Sequence, residues 1–292
     1  MVDKIIFDCD NTLGIPFKEV DDGLTLLYLL GVSVVNLLGI TTTFGNGSID
    51  QVYDQTQYLI NRVGVPVPLF KGEGKSDQGS ETSAAHFLVK AVDDSPCEIT
   101  ILATGPLGNL YAASQLDPDF YQKVKGIVLM GGYLGPVKLG YRDLGELNLS
   151  ANPRAAFSVL YAPCQVTLFS AQACLDAPFR LEDILKVDFW PGKLKWVLLQ
   201  WLIGFGLYTG KFVFYLWDLL PAVYLVKPEL FEMKSFRIGS SLQDLESGML
   251  IEGRSSTDPD INLAMGIRDQ RAFFDHLDTV WRISSQKYPL NF

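Results

Sequence analysis

The chain has 292 residues, of which 48% are hydrophobic and 20% charged, and its formal net charge at pH 7 is −9. This length and apolar content suffice for a large core, and they predict one folded α/β domain over residues 1–292. The negative charge argues against a nucleic acid polymer as partner, because such partners need a basic surface. The four cysteines form no C-x-x-C pair and no signal peptide precedes the first strand, which predicts a cytoplasmic protein with reduced thiols.

The first apolar run ends in two carboxylates. Residues 5–10 predict a buried strand with Asp8 and Asp10 at its carboxyl end. Asp21 and Asp22 open a Leu-rich helical segment, where acidic residues also stabilise a first turn. Helix capping beside a solvated loop is therefore one interpretation. The other is a cation site, because four clustered carboxylates repel one another unless protons or a cation lie between them. Oxygen ligands favour Ca²⁺ or Mg²⁺ over zinc.

Strand-like and helical segments alternate along the next part of the chain. The predicted strands are residues 34–41, 67–70, 98–103, 126–130 and 165–169. The predicted helices lie near 49–62, 82–92 and 106–114, and from 153 onward. This alternation predicts an open, mostly parallel mixed sheet with helices on both faces. From about residue 181 onward we expect a mainly helical part with a few short strands.

The carboxyl ends of the predicted strands carry most of the candidate functional residues. Asp8, Asn46, Thr104 and Met130 each follow an apolar run. In parallel sheets the active site lies beyond this edge. The apolar stretch 196–226 is interrupted by Gly, Lys and Asp, so it predicts two buried helices joined near 208–211 and no membrane span.

Residues 5–13, Ile-Ile-Phe-Asp-Cys-Asp-Asn-Thr-Leu, resemble the phosphotransfer motif of the haloacid dehalogenase superfamily. That resemblance implies an Mg²⁺-dependent phosphatase in which Asp8 attacks phosphate, Asp10 acts as acid and base, and Thr104 binds phosphate. The later acidic pair of that superfamily is missing, and the pair at Asp21 and Asp22 has no role in it. We therefore treat the phosphatase as the alternative function.

Six blocks of sequence resemble the inosine-uridine-type nucleoside hydrolases. The blocks, in chain order, are Asp8-x-Asp10 with Asp21-Asp22-Gly-Leu-Thr-Leu-Leu; Thr43-Phe-Gly-Asn46; Ala103-Thr-Gly-Pro-Leu-Gly-Asn109; Val128-Leu-Met-Gly-Gly132; Gly145-Glu-Leu-Asn148-Leu-Ser-Ala-Asn-Pro-Arg-Ala-Ala156; and Leu216-Trp-Asp218-Leu-Leu-Pro-Ala-Val223. Each block alone is weak. Six in register, from residue 5 to about residue 230, are strong evidence.

The resemblance implies an N-ribohydrolase of nucleoside metabolism and purine salvage, a homodimer or homotetramer that cleaves ribonucleosides to base and ribose. It implies that a Ca²⁺ ion activates the attacking water and that Asp10 takes the proton from that water. The implied ligands of the ion are the side chains of Asp10, Asp22 and Asp218 and the carbonyl oxygen of Thr104. The implied substrate contacts are Asp21, Asn46, Glu146 and Asn148 on the ribose hydroxyls and Met130 beside the sugar.

These roles also make chemical sense. A divalent cation lowers the pKa of water, and a nearby carboxylate can serve as general base. Glycosyl cleavage develops positive charge on the sugar, which a wall of acidic side chains stabilises.

The sequence departs from the family pattern at several places, of which two bear most on the chemistry. Residues 13–20 form an insertion between Asp10 and the acidic pair, so this loop must fold back to bring Asp22 to the ion. Trp217 stands where many relatives carry a histidine that protonates the departing base, and an indole can only stack or donate one hydrogen bond. Tyr208, Tyr215 or Trp217 is expected in a leaving-group pocket or, alternatively, in the core. A nucleoside- or ribose-binding protein without turnover is the third interpretation.

Overall fold

The computed structural model describes residues 3–76 and 79–289, which form twelve strands and twelve α-helices. The strands are β1 (Asp3–Cys9), β2 (Val35–Thr42), β3 (Leu69–Lys71), β4 (Ile99–Ala103), β5 (Gly126–Met130), β6 (Lys138–Leu139), β7 (Arg142–Asp143), β8 (Gln165–Phe169), β9 (Pro178–Phe179), β10 (Phe214–Tyr215), β11 (Phe231–Arg237) and β12 (Asp260–Ile267). The helices are α1 (Asp21–Gly31), α2 (Ile49–Val63), α3 (Ser83–Asp94), α4 (Gly108–Leu116), α5 (Phe120–Lys123), α6 (Pro153–Leu160), α7 (Ala171–Cys174), α8 (Leu181–Lys186), α9 (Gly192–Thr209), α10 (Leu219–Tyr224), α11 (Leu242–Leu245) and α12 (Gln270–Lys287).

Eight strands form one central sheet in the order β11-β12-β8-β5-β4-β1-β2-β3. All neighbours in it are parallel except β11, which runs antiparallel to β12. The chain builds outward from β1 through β2 and β3, then crosses to the other side of β1 with β4. Beyond the carboxyl ends of β1 and β4 the strand order therefore reverses, and such a point forms a crevice in which α/β proteins bind ligands.

The predicted α/β fold with a mostly parallel mixed sheet is confirmed, and β5 and β8 coincide with their predicted ranges. The C-terminal part contains more sheet than expected, because β11 and β12 extend the central sheet by two strands. The two helices expected in 196–226 are α9 and α10, but the segment that joins them is longer than the predicted 208–211. The left-handed Gly210 ends α9, and the chain then forms β10, paired with β9, before α10 begins. No helix among the described residues is long and apolar enough to cross a membrane.

Helix α1 is buried along its whole length and packs closely on α12. The indole of Trp281 donates a hydrogen bond to the carbonyl oxygen of Leu24 at 3.1 Å. A Cβ atom on Gly31 would lie only 2.4 Å from the carbonyl oxygen of Val280, so the two helices meet where α1 has no side chain. This packing determines where the first turn of α1, which carries the acidic pair, lies relative to β1.

We expect Gly31→Ala to lower the free energy of unfolding by about 1–3 kcal/mol, because the added methyl group overpacks the α1–α12 contact. Gly192→Ala is the control: it lies at the start of α9, where an added Cβ atom would meet nothing within 4 Å, and it should change stability by less than about 0.5 kcal/mol. Denaturant unfolding followed by circular dichroism measures both. Equal stability of the two variants would contradict the packing described for α1.

Candidate active site

The crevice between β1 and β4 begins with the two carboxylates of the first motif. Asp8 ends the pairing of β1 with β4, and its carbonyl oxygen accepts a hydrogen bond from the Thr104 amide at 2.9 Å. Asp10 is the first residue after β1, and it is buried. The carboxyl ends of both strands therefore lie side by side, as the sequence predicts for Asp8, Asp10 and Thr104.

The inserted segment 13–20 folds back over this edge. The side chain of Asn11 accepts a hydrogen bond from the Leu13 amide at 3.0 Å, which starts the turn. The hydroxyl of Thr12 donates to the carbonyl oxygen of Glu19 at 2.8 Å, which closes the loop. Helix α1 can then begin within the crevice.

Three separated parts of the chain bring carboxylates together here. The hydroxyl of Thr104 donates to Asp22 Oδ1 at 2.6 Å, and the backbone amide of Asp218 donates to Asp21 Oδ2 at 3.2 Å. Asp10 Oδ2 accepts the backbone amide of Asn46 at 2.5 Å. Asp21 and Asp22 do lie in the first turn of α1, as the capping interpretation expects, but no side chain caps the helix and both residues are buried instead of solvated. The carboxylates of residues 10, 22 and 218 lie close enough to raise one another's pKa, and their role as ligands of one ion stays a prediction.

The electrostatics of the cluster follow from burial without counter-charges. Burial raises the pKa of Asp10 to about 6 and that of Asp21 to about 7, and it raises the pKa of Asp22 and Asp218 well above the ordinary value. Within the described chain, none of the four forms an ion pair with a basic side chain. Lys18 lowers the pKa of Asp10 through space, but its ammonium donates to the Asn46 carbonyl oxygen.

The donor set fits a hard cation in charge and chemistry. Asp10 and Asp22 share a hydrogen bond, which requires a proton that a cation could replace. Asp10 Oδ1 and Asp21 Oδ1 are buried oxygens without a hydrogen-bond partner, which is costly unless a ligand satisfies them. No three His, Cys, Asp or Glu side chains in ranges 3–76 and 79–289 are already arranged as a metal centre. The fit of these carboxylates to a cation therefore rests on their unpartnered oxygen atoms and on their burial.

Asp8 has a different environment. Its Oδ1 accepts hydrogen bonds from the Thr41 hydroxyl and from the Asn109 amide, the latter at 2.7 Å. Asn109 also donates to the Thr42 carbonyl oxygen and accepts from the amide of Glu73, so it joins β1, β2 and the loop after β3. Burial raises the pKa of Asp8 to about 7. Asp8 supports the strand ends from behind the cluster.

A cavity opens beside the cluster, and most of the predicted site residues line it. The predicted residues in its wall are Asn46, Thr104, Met130, Glu146, Asn148, Trp217 and Asp218. Asp10, Asp21 and Asp22 lie beneath the surface, and each contacts one of these wall residues. The wall also contains Glu19, Tyr133, Trp201 and Phe205, which the sequence analysis missed.

Glu146 and Asn148 enter the cavity from the loop after β7, as their spacing predicts, but they are already engaged. Glu146 Oε1 accepts the amides of Gly132 and Leu149 at 3.1 and 2.9 Å, and Oε2 accepts the amide of Ser150 at 2.7 Å. Glu146 thus holds its own loop against the end of β5. This role adds to the predicted contact with substrate.

The amide of Asn148 links two strand ends at the cavity wall. It donates to the carbonyl oxygens of Thr104 and Met130 at 2.8 and 3.1 Å. The Thr104 carbonyl oxygen is the atom predicted to ligate a cation. Asn148 is therefore placed to orient this oxygen as well as to meet a sugar.

One side of the cavity is aromatic. Trp201 and Phe205 lie one turn apart on α9, with ring centroids 5.3 Å apart, and Trp217 follows β10. Tyr215 lies behind Trp217, with 5.2 Å between the ring centroids, and does not line the cavity. Tyr208 also lies outside the wall. Of the three aromatic residues expected in a leaving-group pocket, only Trp217 lines the cavity.

Helix α9 is held on two sides. The ring of Phe17, from the inserted loop, lies against Gly204, where a Cβ atom would be 3.2 Å from it. The β6–β7 hairpin holds the other end, because the Tyr141 hydroxyl donates to the Leu207 carbonyl oxygen and the Tyr141 amide to that of Thr209. The aromatic wall is consequently fixed relative to the carboxylates.

Comparisons with known proteins identify the family of the chain. A profile of the inosine-uridine preferring nucleoside hydrolases matches residues 5–275. Uridine nucleosidase 1 of Arabidopsis thaliana is 29% identical over 270 residues, which is 80% of this chain and 76% of that protein. The inosine-uridine preferring nucleoside hydrolase of Crithidia fasciculata is 28% identical over 230 residues, covering 66% and 69%. A purine-preferring ribonucleoside hydrolase from Gardnerella vaginalis shares the fold, with a TM-score of 0.80 at 21% identity over 97% and 99% of the two chains.

We expect Glu146→Ala to lower the free energy of unfolding by about 1–3 kcal/mol, because three backbone N–H groups lose their acceptor. Glu232→Ala, on the exposed side of β11, is the matched control and should leave stability within about 0.5 kcal/mol of the wild type. Thermal denaturation of the two variants measures the difference. A fully stable Glu146→Ala variant would show that the loop does not depend on this carboxylate.

Proposed function

The chain belongs to the inosine-uridine preferring nucleoside hydrolase family and is a nucleoside N-ribohydrolase, and from this premise we propose that it cleaves ribonucleosides to base and ribose with the help of Ca²⁺. Members of this family are metal-dependent hydrolases. The main support for this reaction is a cluster of four aspartates that is buried beside a cavity and forms no ion pair with a basic side chain. Its members are Asp10, Asp21, Asp22 and Asp218.

The residues proposed to hold the cation are Asp10, Asp22 and Asp218, with the carbonyl oxygen of Thr104. Their donors are all oxygen atoms, which hard divalent ions such as Ca²⁺ prefer. A bound divalent cation lowers the pKa of water and so makes hydroxide available near neutral pH. Asp10 is the proposed general base, because it has a buried oxygen that no hydrogen bond occupies.

The remaining predicted residues are proposed to bind the sugar. Asn46, Asn148 and Glu146 line the cavity and offer amide and carboxylate groups to ribose hydroxyls, with Met130 beside the ring. Asp21 reaches the same wall through its hydrogen bond with the Asp218 amide. Buried negative charge near C1′ stabilises the positive charge that develops on the sugar in the transition state.

The two alternative functions, a phosphatase and a binding protein without turnover, are less well supported. A phosphatase would need Asp8 as nucleophile, and Asp8 Oδ1 is held by the Thr41 hydroxyl and the Asn109 amide, which tie it to the neighbouring strand and helix. The family match over residues 5–275 also speaks against it. A binding protein without turnover is not supported by membership of an enzyme family.

We further propose a single domain, a cytoplasmic location, a role in nucleoside metabolism including purine salvage, and a homodimer or homotetramer. The single domain is supported by one central sheet that contains both β1 and β12 and by the packing of the C-terminal helix α12 on α1. The four cysteines are all unpaired, which suits a reducing compartment. Size-exclusion chromatography with light scattering tests the oligomer.

We expect Asp10→Asn to lower kcat/KM for inosine or uridine by on the order of 10²–10⁴-fold, because the amide cannot accept the proton of water. Asp260→Asn is the control, since its carboxylate pairs with Arg237 on the surface and should leave turnover unchanged. Release of reducing sugar measures both reactions. Wild-type turnover by Asp10→Asn would refute the assignment of the base.

Calcium should stabilise the protein more at pH 8 than at pH 5. The pKa values of Asp10 and Asp21 lie above the ordinary 3.8, so the metal-free native state binds more protons than the unfolded chain and loses stability as pH rises from about 4 to 7. A cation competes with those protons and therefore binds better above this range. The melting temperature with calcium and with chelator, at both pH values, gives the measurement.

The control for this experiment is Asp218→Asn, which should lose most of the calcium-dependent increase in melting temperature. An equal increase at both pH values, or an unchanged increase in Asp218→Asn, would mean that calcium stabilises the protein at some other place.

A further inference from the structure

Helix α9 exposes an apolar face to solvent. Trp196, Ile203 and Leu207 lie on one stripe of the helix, and 57, 42 and 66% of their surfaces are exposed. The opposite side of the helix carries Trp201 and Phe205, which line the cavity. A helix that is apolar all round is normally buried on every side. The exposed stripe of α9 is therefore a candidate contact surface.

Aromatic rings from other segments extend this stripe. Three of them lie against glycines of α9 and of its C-terminal cap, and the pairs of ring and glycine are Phe17 with Gly204, Phe212 with Gly206, and Tyr141 with Gly210. The exposed ring of Tyr208 is the fourth. These four rings and the stripe form the α9 surface. Within the part of the chain that the structure describes, every exposed Phe, Trp and Tyr side chain belongs to it.

The basic residues of this region lie at the two ends of α9. Residues 189–217 contain three lysines and no acidic residue, although the whole chain has a net charge of −9. Lys193 and Lys195 lie in the first turn of α9. Lys211 follows the last turn, where the guanidinium of Arg142 lies 5.1 Å from the centroid of the Tyr208 ring. Both ends of the α9 surface are therefore cationic.

The acidic residues that flank the α9 surface in the chain do not cancel this charge. Asp188 forms an ion pair with Arg282 at 3.0 Å. Asp143 lies opposite Lys138 in the β6–β7 hairpin. Glu19 follows Phe17 by two residues but lines the cavity. The α9 surface thus combines exposed apolar side chains with a positive border.

We propose that the α9 surface binds an anionic lipid surface, with its apolar side chains in the headgroup region and its lysines near the lipid phosphates. Large exposed apolar patches mark interaction sites. Trp and Tyr are enriched at membrane–water interfaces, because their rings have an apolar body and a polar edge. The negative potential of such a surface attracts Lys and Arg. This contact requires no membrane span and does not depend on the proposed reaction.

Charge favours a lipid surface over a second copy of the chain as the occupant. Because α9 is cationic at both ends, a second α9 laid along it in either direction would bring like charges together, which is costly. An anionic lipid surface is negative over the whole contact. It also repels the acidic remainder of the protein, so that the molecule is oriented with the α9 surface toward the lipid.

Vesicle sedimentation tests the lipid preference of the whole protein. One set of vesicles contains phosphatidylcholine alone and the other contains phosphatidylcholine with phosphatidylglycerol, with the same calcium concentration in every sample. We expect at least about tenfold tighter binding to the anionic vesicles, and weaker binding as salt is raised. Binding to neither set, or equal binding to both, would overturn the proposal.

Substitutions within the stripe test the apolar part of the contact. The double variant Ile203→Gln, Leu207→Gln should bind anionic vesicles about tenfold or more weakly, because it removes apolar area from the contact. The matched control is Met265→Gln, Ile283→Gln, whose side chains have similar exposure on β12 and α12 and which should bind as the wild type does. Thermal denaturation verifies folding. Equal binding by the two double variants would contradict the assignment of the surface.

Reversal of charge at the start of α9 tests the electrostatic part and remains informative if the stripe variant does not fold. Lys193→Glu, Lys195→Glu should weaken binding to anionic vesicles about tenfold or more. Unchanged binding by this folded variant would contradict the role of the lysines.

Two further measurements distinguish a lipid surface from other occupants. Brominated phosphatidylcholine in the anionic vesicles should quench tryptophan fluorescence, and Trp196→Phe should remove most of that quenching. Light scattering without vesicles should give the same mass for the wild type and for Ile203→Gln, Leu207→Gln. A smaller mass for the variant would show that the α9 surface joins copies of the chain, and the lipid proposal would then fail.

Discussion

Mutual repulsion among buried carboxylates is the constraint on which the rest of the structure depends. Asp10, Asp21, Asp22 and Asp218 lie together with at most 4% of each residue's surface exposed, and burial alone disfavours their charged forms. Such a cluster persists only if the surrounding fold holds it and a counter-ion or protons neutralise it. The fold holds the carboxylates together at the point where the strand order of the sheet reverses.

The restraint comes from packing far from the cavity. Gly31 lets α1 approach α12, and this contact positions the first turn of α1. Asn109 ties β1 to β2 and to the loop after β3. On the opposite side, Phe17 and Tyr141 fix α9 and its aromatic face. The acidic cluster and the aromatic wall meet at Trp217 and Asp218, which are neighbours in the chain.

Much of this arrangement could be predicted from the sequence, because strand ends and helix starts are local signals. The strand before Asp8, the helix beginning at Asp21 and the parallel sheet follow from hydrophobic periodicity. Glu19 and Trp201 could not be predicted in the same way. Glu19 lies in an insertion whose path depends on the Thr12 contact, and Trp201 belongs to a helix that is apolar around most of its surface. The hydrogen bond from the Gly132 amide to Glu146 likewise joins the end of β5 to a later loop, which no local signal indicates.

The central claim is that these carboxylates surround a single divalent cation, and the location of that ion tests it most directly. A crystal structure of the protein grown with calcium, with anomalous scattering used to identify the ion, should show one peak in contact with Asp10, Asp22, Asp218 and the Thr104 carbonyl oxygen. A crevice in which Lys18 turns inward to neutralise the carboxylates, with calcium bound elsewhere or absent, would contradict the account.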